Sequence, residues 1–277
     1  MDLKWYKIDV KSTDDYTPSF FVGSMLRGAF GLALKRVVCI NPIYKCDGCF
    51  FKDSCIYYDF YETENSFKEY RITSKLGMKN LSFSIYLYEE KTKELPYVLS
   101  AIKKSLEEIG VGKLRQQIKI SNISIGLKTI YDGKDFLPMN DINPFEFECS
   151  DYHKDVELNF SLPFSLKYKN RYVTKDNLTL YILITNLHKR FIKLKGLVDK
   201  KIDFKIEGKI VQNSLDYLEL FRYSNRKKRY MKFTGLIGKI MIKGLDKRSY
   251  QYLKLGEIIG IGKQTVFGLG DYEIKPI

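Results

Sequence analysis

An internal echo constrains this chain more than any other feature. The segment Glu107-Glu108-Ile109-Gly110-Val111-Gly112-Lys113 returns as Glu257-Ile258-Ile259-Gly260-Ile261-Gly262-Lys263, offset by 150 residues in a chain of 277. A period of roughly 20 to 50 residues would mean a stacked solenoid, whereas one near half the chain length means two copies of one domain. Each copy follows an apolar helical stripe and precedes a strand-like segment, so the surroundings agree as well.

In the first half, residues 3–11 read as a strand and 20–38 as a helix with Val22, Met25, Leu26, Ala29, Ala33 and Val37 on its apolar side. Residues 81–88 alternate as a strand does. Leu95, Val98, Leu99, Ile102, Leu106 and Ile109 form a second helical stripe that stops at Gly110, and 118–130 returns as strand. In the second half, 156–166 reads as strand, and Leu180, Ile184, Leu187, Phe191 and Leu194 mark a helix. Two or three strands fit between Phe204 and Ile242, and a helix over 246–259 leads through a glycine loop to a last strand near 266–274. Both halves therefore read βαββαβ. The expected fold is α+β, two tandem ferredoxin-like (RRM-like) domains: 1–150 with a Cys-rich insertion at 39–60, and 151–277 with the glycine-rich loop. The junction is expected near Glu148 to Lys154, a polar stretch.

Lys and Arg number 47 against 33 Asp and Glu, a net charge of +14. Such an excess attracts polyanions over long range, so nucleic acid is the expected partner; a lysine-rich coding background is the rival explanation, because the charges are spread along the chain. No apolar run reaches the roughly 18 residues of a membrane span. The greasiest stretch, 20–38, is broken by Arg27, Lys35 and Arg36, and the first ten residues are too charged for a signal peptide. A cytoplasmic protein with no membrane partner is expected.

Four of the five cysteines crowd into Cys39-x6-Cys46-x2-Cys49-x5-Cys55. In a reducing compartment this clustering reads as a metal clamp, with structural zinc first and an iron–sulfur cluster second; free thiols remain the plain alternative. Four protein ligands would leave no open position for a catalytic water.

Three further features bear on an anionic ligand. Ser24, Arg27, Gly28, Gly31 and Lys35 share one helix face, giving a small-residue strip with two cations that either packs against another element or receives RNA phosphates. The run Phe221-Arg222-Tyr223-Ser224-Asn225-Arg226-Lys227-Lys228-Arg229-Tyr230 interleaves cations with aromatics, as a solvated hairpin gripping phosphates and stacking bases would. The third is Gly260-Ile261-Gly262-Lys263-Gln264-Thr265-Val266-Phe267-Gly268-Leu269-Gly270. It lacks the spacing of a Walker loop and follows no Rossmann unit, so ATP and dinucleotides are disfavoured. Its glycines serve capping and bulging, or bare N–H groups for phosphate.

This last stretch, with Gly235-Leu236-Ile237-Gly238 and Leu255-Gly256-Glu257 before it, resembles the signature of the CRISPR repeat-processing endoribonucleases of the RAMP superfamily. Leu26-Arg27-Gly28-Ala29-Phe30-Gly31, the four-cysteine segment and Arg222-Tyr223-Ser224 are similar to a branch of that family. The resemblance implies binding of CRISPR repeat RNA in a precursor transcript and one cut per repeat. That cut uses no catalytic cofactor: the 2′-hydroxyl attacks the adjacent phosphate, giving a 2′,3′-cyclic phosphate. Arg27, Arg222, Arg226, Lys227, Arg229, Lys263 and the glycines Gly260, Gly262, Gly268 and Gly270 are the expected RNA contacts.

Many members of that family carry a histidine just after the first helix, and this chain does not. Its two histidines are His153, near the junction, and His188, within a helix. By position, Lys35, Arg36, Tyr44, Lys45 and Lys52 are the catalytic candidates, ahead of His188. The missing histidine keeps a second reading open, a non-cleaving RNA-binding subunit that joins other CRISPR effector subunits. A third reading is a zinc module that recognises DNA or protein through residues 39–55.

Overall fold

The computed structural model describes residues 1–13, 16–64, 67–198, 200–224 and 228–277. Two compact units divide it: residues 3–146 form one, and Phe147–Ile277 together with Met1–Asp2 form the other. Among the described residues, no helix is long and apolar enough to cross a membrane.

The first unit runs β1 (Lys4–Ser12), α1 (Gly23–Val38), β2 (Tyr70–Ser74), β3 (Ser82–Tyr88), α2 (Leu95–Lys103), β4 (Ile120–Ile125), β5 (Lys128–Tyr131) and β6 (Phe145–Glu146). The second runs β7 (Val156–Phe164), β8 (Lys167–Tyr168), β9 (Arg171–Tyr172), α3 (Leu180–Leu194), β10 (Lys209–Ser224), β11 (Arg229–Lys243), α4 (Lys247–Ile259) and β12 (Tyr272–Pro276). Strand order is β2-β3-β1-β4-β5 in one sheet, with β6 pairing β1, and β10-β11-β7-β12 in the other. In both sheets the first strand of the unit sits between the third and fourth major strands, and every pairing is antiparallel. These are tandem ferredoxin-like folds.

Alternation explains the central strands. Tyr6, Ile8 and Val10 of β1, and Val156, Leu158 and Phe160 of β7, are buried while the residues between them are partly exposed. A sheet with one face against helices requires that period of two.

The echo is carried by one device built twice. Gly110 and Gly112 have φ of 80° and 71°, and Gly260 and Gly262 have 70° and 78°, left-handed values that glycine adopts without a Cβ clash. The glutamate opening each copy also does the same work. Glu107 accepts a hydrogen bond from the backbone N–H of Ile120 at 3.1 Å, and Glu257 accepts one from that of Ile274 at 2.7 Å, tying each second helix to the last core strand of its unit.

The structure departs from expectation in several places: β2 lies in a stretch not read as strand, and the expected strand over 118–130 divides into β4 and β5. The buried face of α1 is Leu26, Ala29, Phe30, Ala33 and Leu34, whereas Met25 and Val37 are half-exposed. The last strand begins at Tyr272 rather than near Val266, because Gly268 and Gly270, with φ of 95° and 75°, turn the chain out of any strand path.

Asp246 caps α4. Its carboxylate accepts from the Ser249 N–H and the Glu207 N–H, each at 2.9 Å, and from the Ser249 hydroxyl. Burial disfavours the charge, but the Ser249 side-chain hydrogen bond and the backbone hydrogen bonds outweigh it and hold the group below the usual carboxylate range. A depressed folded-state value stabilises above the ordinary carboxylate range, and that stability is lost as pH falls through the lower value. Asp246→Ala is expected to cost about 1–2 kcal/mol at neutral pH, with the gap closing in strong acid, as urea denaturation at several pH values would show. A pH-independent gap would contradict it.

Candidate nucleic-acid interface

The glycine loop is clamped from α3. Asn186 accepts from the Gly262 N–H at 3.0 Å, and the buried Arg190 guanidinium donates to the Ile259 carbonyl at 2.7 Å and the Thr265 hydroxyl at 3.0 Å. The loop's own N–H groups are also used. Gly260 donates to Gly256, Ile261 to Gly270, Lys263 to Ser165, Gly268 to Thr265 and Gly270 to Pro163, all at 2.8–3.0 Å. The expectation of a bare main-chain cradle is therefore corrected: the N–H groups of Gly260, Gly262, Gly268 and Gly270 face protein acceptors. These glycines answer steric demand instead. A Cβ on Gly270 would lie 1.8 Å from the Ile261 carbonyl oxygen, and one on Gly262 would lie 2.6 Å from that of Ser165.

What the loop presents outward is Lys263. With Tyr172, Tyr217, Lys232, Phe233 and Gln264 it lines a cleft of about 360 Å³ in the second unit. Tyr172 is 61% exposed, and its ring has the Lys263 ammonium 5.2 Å from its centroid and the Lys167 ammonium 4.8 Å away. A base stacked on that ring would place its phosphates among cations, the arrangement that binds single strands with little sequence demand. The sequence expectations singled out neither Tyr172 nor Tyr217, because each is a lone aromatic in an ordinary strand. Arg190 was legible in principle, as a cation inside the apolar stripe of α3.

The basic run forms the end of the β10–β11 hairpin, paired from Lys209 with Lys243 out to Ser224 with Arg229. Arg226 and Lys227 lie outside the described residues. Arg229 is exposed at the start of β11, and Tyr223 and Tyr230 meet edge-on at 5.3 Å, 49% and 77% exposed. Arg222 is a different case. Its guanidinium lies 4.8 Å from the Phe267 ring and 5.2 Å from the Phe233 ring, so it ties the hairpin to the glycine loop and does not project as a phosphate anchor. Gly235 permits the close approach of β11 to β7, since a Cβ there would lie 2.7 Å from the Phe164 carbonyl oxygen.

In the first unit, the strip on α1 is covered by protein at Arg27 and Gly31, while Gly28 stays exposed. Tyr61 lies over it, 2.4 Å from where a Gly31 Cβ would stand, and its hydroxyl donates to the Arg27 carbonyl at 2.8 Å. The Arg27 guanidinium stacks 4.4 Å from the Tyr61 ring centroid. The packing reading of that strip prevails, and Arg27 is removed from the expected phosphate contacts. Of the catalytic candidates, Arg36, Tyr44, Lys45 and Lys52 are exposed, while Lys35 is half-buried with its ammonium 5.0 Å from the Tyr57 ring. Burial, then the hydrogen bond to Glu62, pushes the Tyr57 hydroxyl well above the usual phenol range, so it keeps its proton at neutral pH. Nearby Lys68 is pulled below the usual ammonium range, first by burial, and donates to the carbonyls of Asp59 at 2.5 Å and Thr63 at 2.8 Å.

Cys39, Cys46, Cys49 and Cys55 are free and half-buried. Among the described residues, no group of three or more His, Cys, Asp or Glu side chains is placed to hold a metal. Burial pushes the Cys46 thiol up despite the neighbouring Lys35 ammonium. His188 is buried, with Nδ1 2.8 Å from the Tyr252 hydroxyl and Nε2 2.6 Å from the Lys200 carbonyl, so both ring nitrogens have structural partners. His153 Nε2 lies 3.8 Å from the Asp151 carboxylate near the surface.

Comparison with known proteins adds to this geometry. Residues 1–144 match the model of an N-terminal domain family, AF_1859_N, and residues 158–272 match that of CRISPR-associated endoribonuclease Cas6. An uncharacterized protein of Archaeoglobus fulgidus is 24% identical over 274 residues, covering 92% of each chain. Among solved structures, a Cas6 product complex superposes with a TM-score of 0.60 at 11% identity, and Thermus thermophilus Cas6 with 0.56 at 10%, each over 99% of both chains. A RAMP protein described as binding different RNA substrates reaches 0.51 at 13% identity, over 99% of this chain and 100% of its own. At these identities the structural likenesses show the fold.

Proposed function

This chain belongs to the family with the AF_1859_N N-terminal domain, and from that premise and the match of residues 158–272 to CRISPR-associated endoribonuclease Cas6 we propose that it is a Cas6-type protein of the RAMP superfamily that binds the repeat of a CRISPR precursor transcript and cuts it once per repeat. The observation that supports RNA binding most is the exposed Tyr172 ring with two ammoniums close to it, beside the clamped loop that carries Lys263. Arg229, at the end of the cation-and-aromatic hairpin, extends the proposed contact surface, as do Arg226 and Lys227 by sequence.

The proposed cut uses no metal. The 2′-oxygen of the nucleotide before the cut attacks the adjacent phosphorus, its proton passing to a base. The bond from phosphorus to the 5′-oxygen breaks, and that oxygen takes up a proton. A 2′,3′-cyclic phosphate and a 5′-hydroxyl result. The protein's share is to hold attacking and leaving oxygens in line and to stabilise the added charge. Lys35, Arg36, Tyr44, Lys45 and Lys52 are the proposed group, with Tyr57 as a proton-bearing neighbour of Lys35. A single 2′-deoxy substitution at the cut should leave repeat affinity unchanged and abolish product. Cleavage of that RNA would overturn the mechanism.

One observation favours a second reading: His188 is wholly engaged and no histidine stands just after α1, so the chain would serve as a non-cleaving RNA-binding subunit beside other effector subunits. Repeat RNA bound and left intact would establish it. We also propose that Cys39, Cys46, Cys49 and Cys55, which the structure does not gather as a ligand set, draw together on a structural zinc, with an iron–sulfur cluster as the less favoured occupant. Their crowding within one segment supports this. Purified protein should carry about one zinc per chain, since four thiolates make a closed tetrahedral site. Less than half an equivalent of zinc would contradict it.

A further inference from the structure

The β8–β9 hairpin borders two clefts. Tyr172 belongs to the one that holds Lys263. Tyr168 belongs to a larger one of about 720 Å³, lined also by Tyr181, Lys189, Lys200, Lys201 and Phe204. That volume lies within the range of about 300–1,000 Å³ in which clefts bury most of a small ligand.

The larger cleft is preformed. His188 Nε2 meets the Lys200 carbonyl at 2.6 Å, which fastens the segment after α3 back onto the helix. Phe204 stacks on Tyr252 at 5.9 Å and 6°, fixing the same segment farther along. Tyr181 and Lys189 stand at i and i+8 on α3, one stripe of its outer face, and both are exposed. Tyr181 and Tyr168 meet edge-on at 6.3 Å, with the Lys169 ammonium 5.5 Å from the Tyr168 ring. Among the described residues, Lys189, Lys200 and Lys201 have no carboxylate partner, whereas Lys205 pairs with Glu207 at 2.9 Å. Aromatic faces beside unneutralised cations suit a polyanion that also carries flat rings.

We propose that this cleft binds a short unpaired stretch of RNA, continuous with the repeat segment held at Tyr172 and Lys263. Bases stack on Tyr168 and Tyr181, and phosphates meet Lys189 and Lys201. A strand fits better than a free nucleotide because further cations lie on the hairpin beyond the cleft's own lining. Lys167, Lys169 and Arg171 sit on the hairpin that borders both clefts, so a backbone passing from one to the other stays among positive charges. The inference deepens the proposed repeat binding and rests on it.

The test compares repeat RNA with the same RNA carrying six unpaired uridines at either end. Wild-type protein should bind one of the extended RNAs about tenfold more tightly than the bare repeat. The variant Tyr181→Ala/Lys189→Ala/Lys201→Ala should keep the affinity for the bare repeat and lose that gain. An extension that adds nothing to wild type, or a gain the variant retains, overturns the proposal. A 4-thiouridine hexamer tests the cleft independently of repeat binding: crosslinks should map to Tyr168 or Tyr181, and their absence overturns it. Uridine monophosphate competing as well as the hexamer would make this a mononucleotide site and overturn the strand. Failure of wild type to bind the bare repeat, with the crosslinks present, would instead sink the repeat reading.

Discussion

Gly270→Ala should leave this protein largely unfolded or cost more than about 4 kcal/mol, a loss otherwise confined to severe core damage. The reason is doubly local. At φ of 75° the backbone sits where an alanine is strained, and its Cβ would lie 1.8 Å from the Ile261 carbonyl oxygen. That oxygen cannot retreat freely, because the Ile261 N–H donates back to the Gly270 carbonyl at 2.9 Å and the Gly270 N–H is held by Pro163 at 3.0 Å. Gly28→Ala is the control. It lies within α1 with nothing inside 4 Å of its Cβ position, so helix propensity alone should make it neutral or stabilising by up to about 1 kcal/mol. Urea denaturation followed by circular dichroism reads both, and a Gly270→Ala loss under about 1 kcal/mol would refute the packing account of the loop.

The second large effect concerns RNA. Tyr172→Ala/Lys263→Ala should weaken repeat binding about a hundredfold, combining one lost base stack of about 1–3 kcal/mol with one lost phosphate contact. The slope of log affinity against log salt should flatten by about one. Lys93→Ala removes an equal charge from an exposed ion pair with Glu90 in the first unit and should change neither quantity. If the two variants lose affinity equally, binding follows net charge and the cleft has no special part in it.

The duplication was legible because it rests on periodic burial and on glycines whose left-handed geometry leaves a mark in composition. Gly110, Gly112, Gly260 and Gly262 occupy matching positions, and the repeated glutamate turned out to carry a matching hydrogen bond. The interface was less legible. Lys263 and Arg229 were found as cations in unusual surroundings, but whether a cation projects depends on what packs beside it. Arg222 lies against two phenylalanines from separate elements, and Arg27 lies against Tyr61, which is 34 residues farther along. The glycine loop misled for a related reason. A glycine pattern shows where a side chain cannot fit, and bare N–H groups and satisfied ones leave the same pattern. Tyr172 gained its setting only from the fold, which sets Lys263 beside it from 91 residues away.

Incubation of end-labelled repeat RNA with the purified protein in excess EDTA tests the central claim most directly. One cut per repeat should appear, leaving a 2′,3′-cyclic phosphate on the upstream fragment and a 5′-hydroxyl on the downstream one. Cleavage that disappears with EDTA, a free 3′-hydroxyl at the cut, or RNA that is bound and stays whole would contradict it.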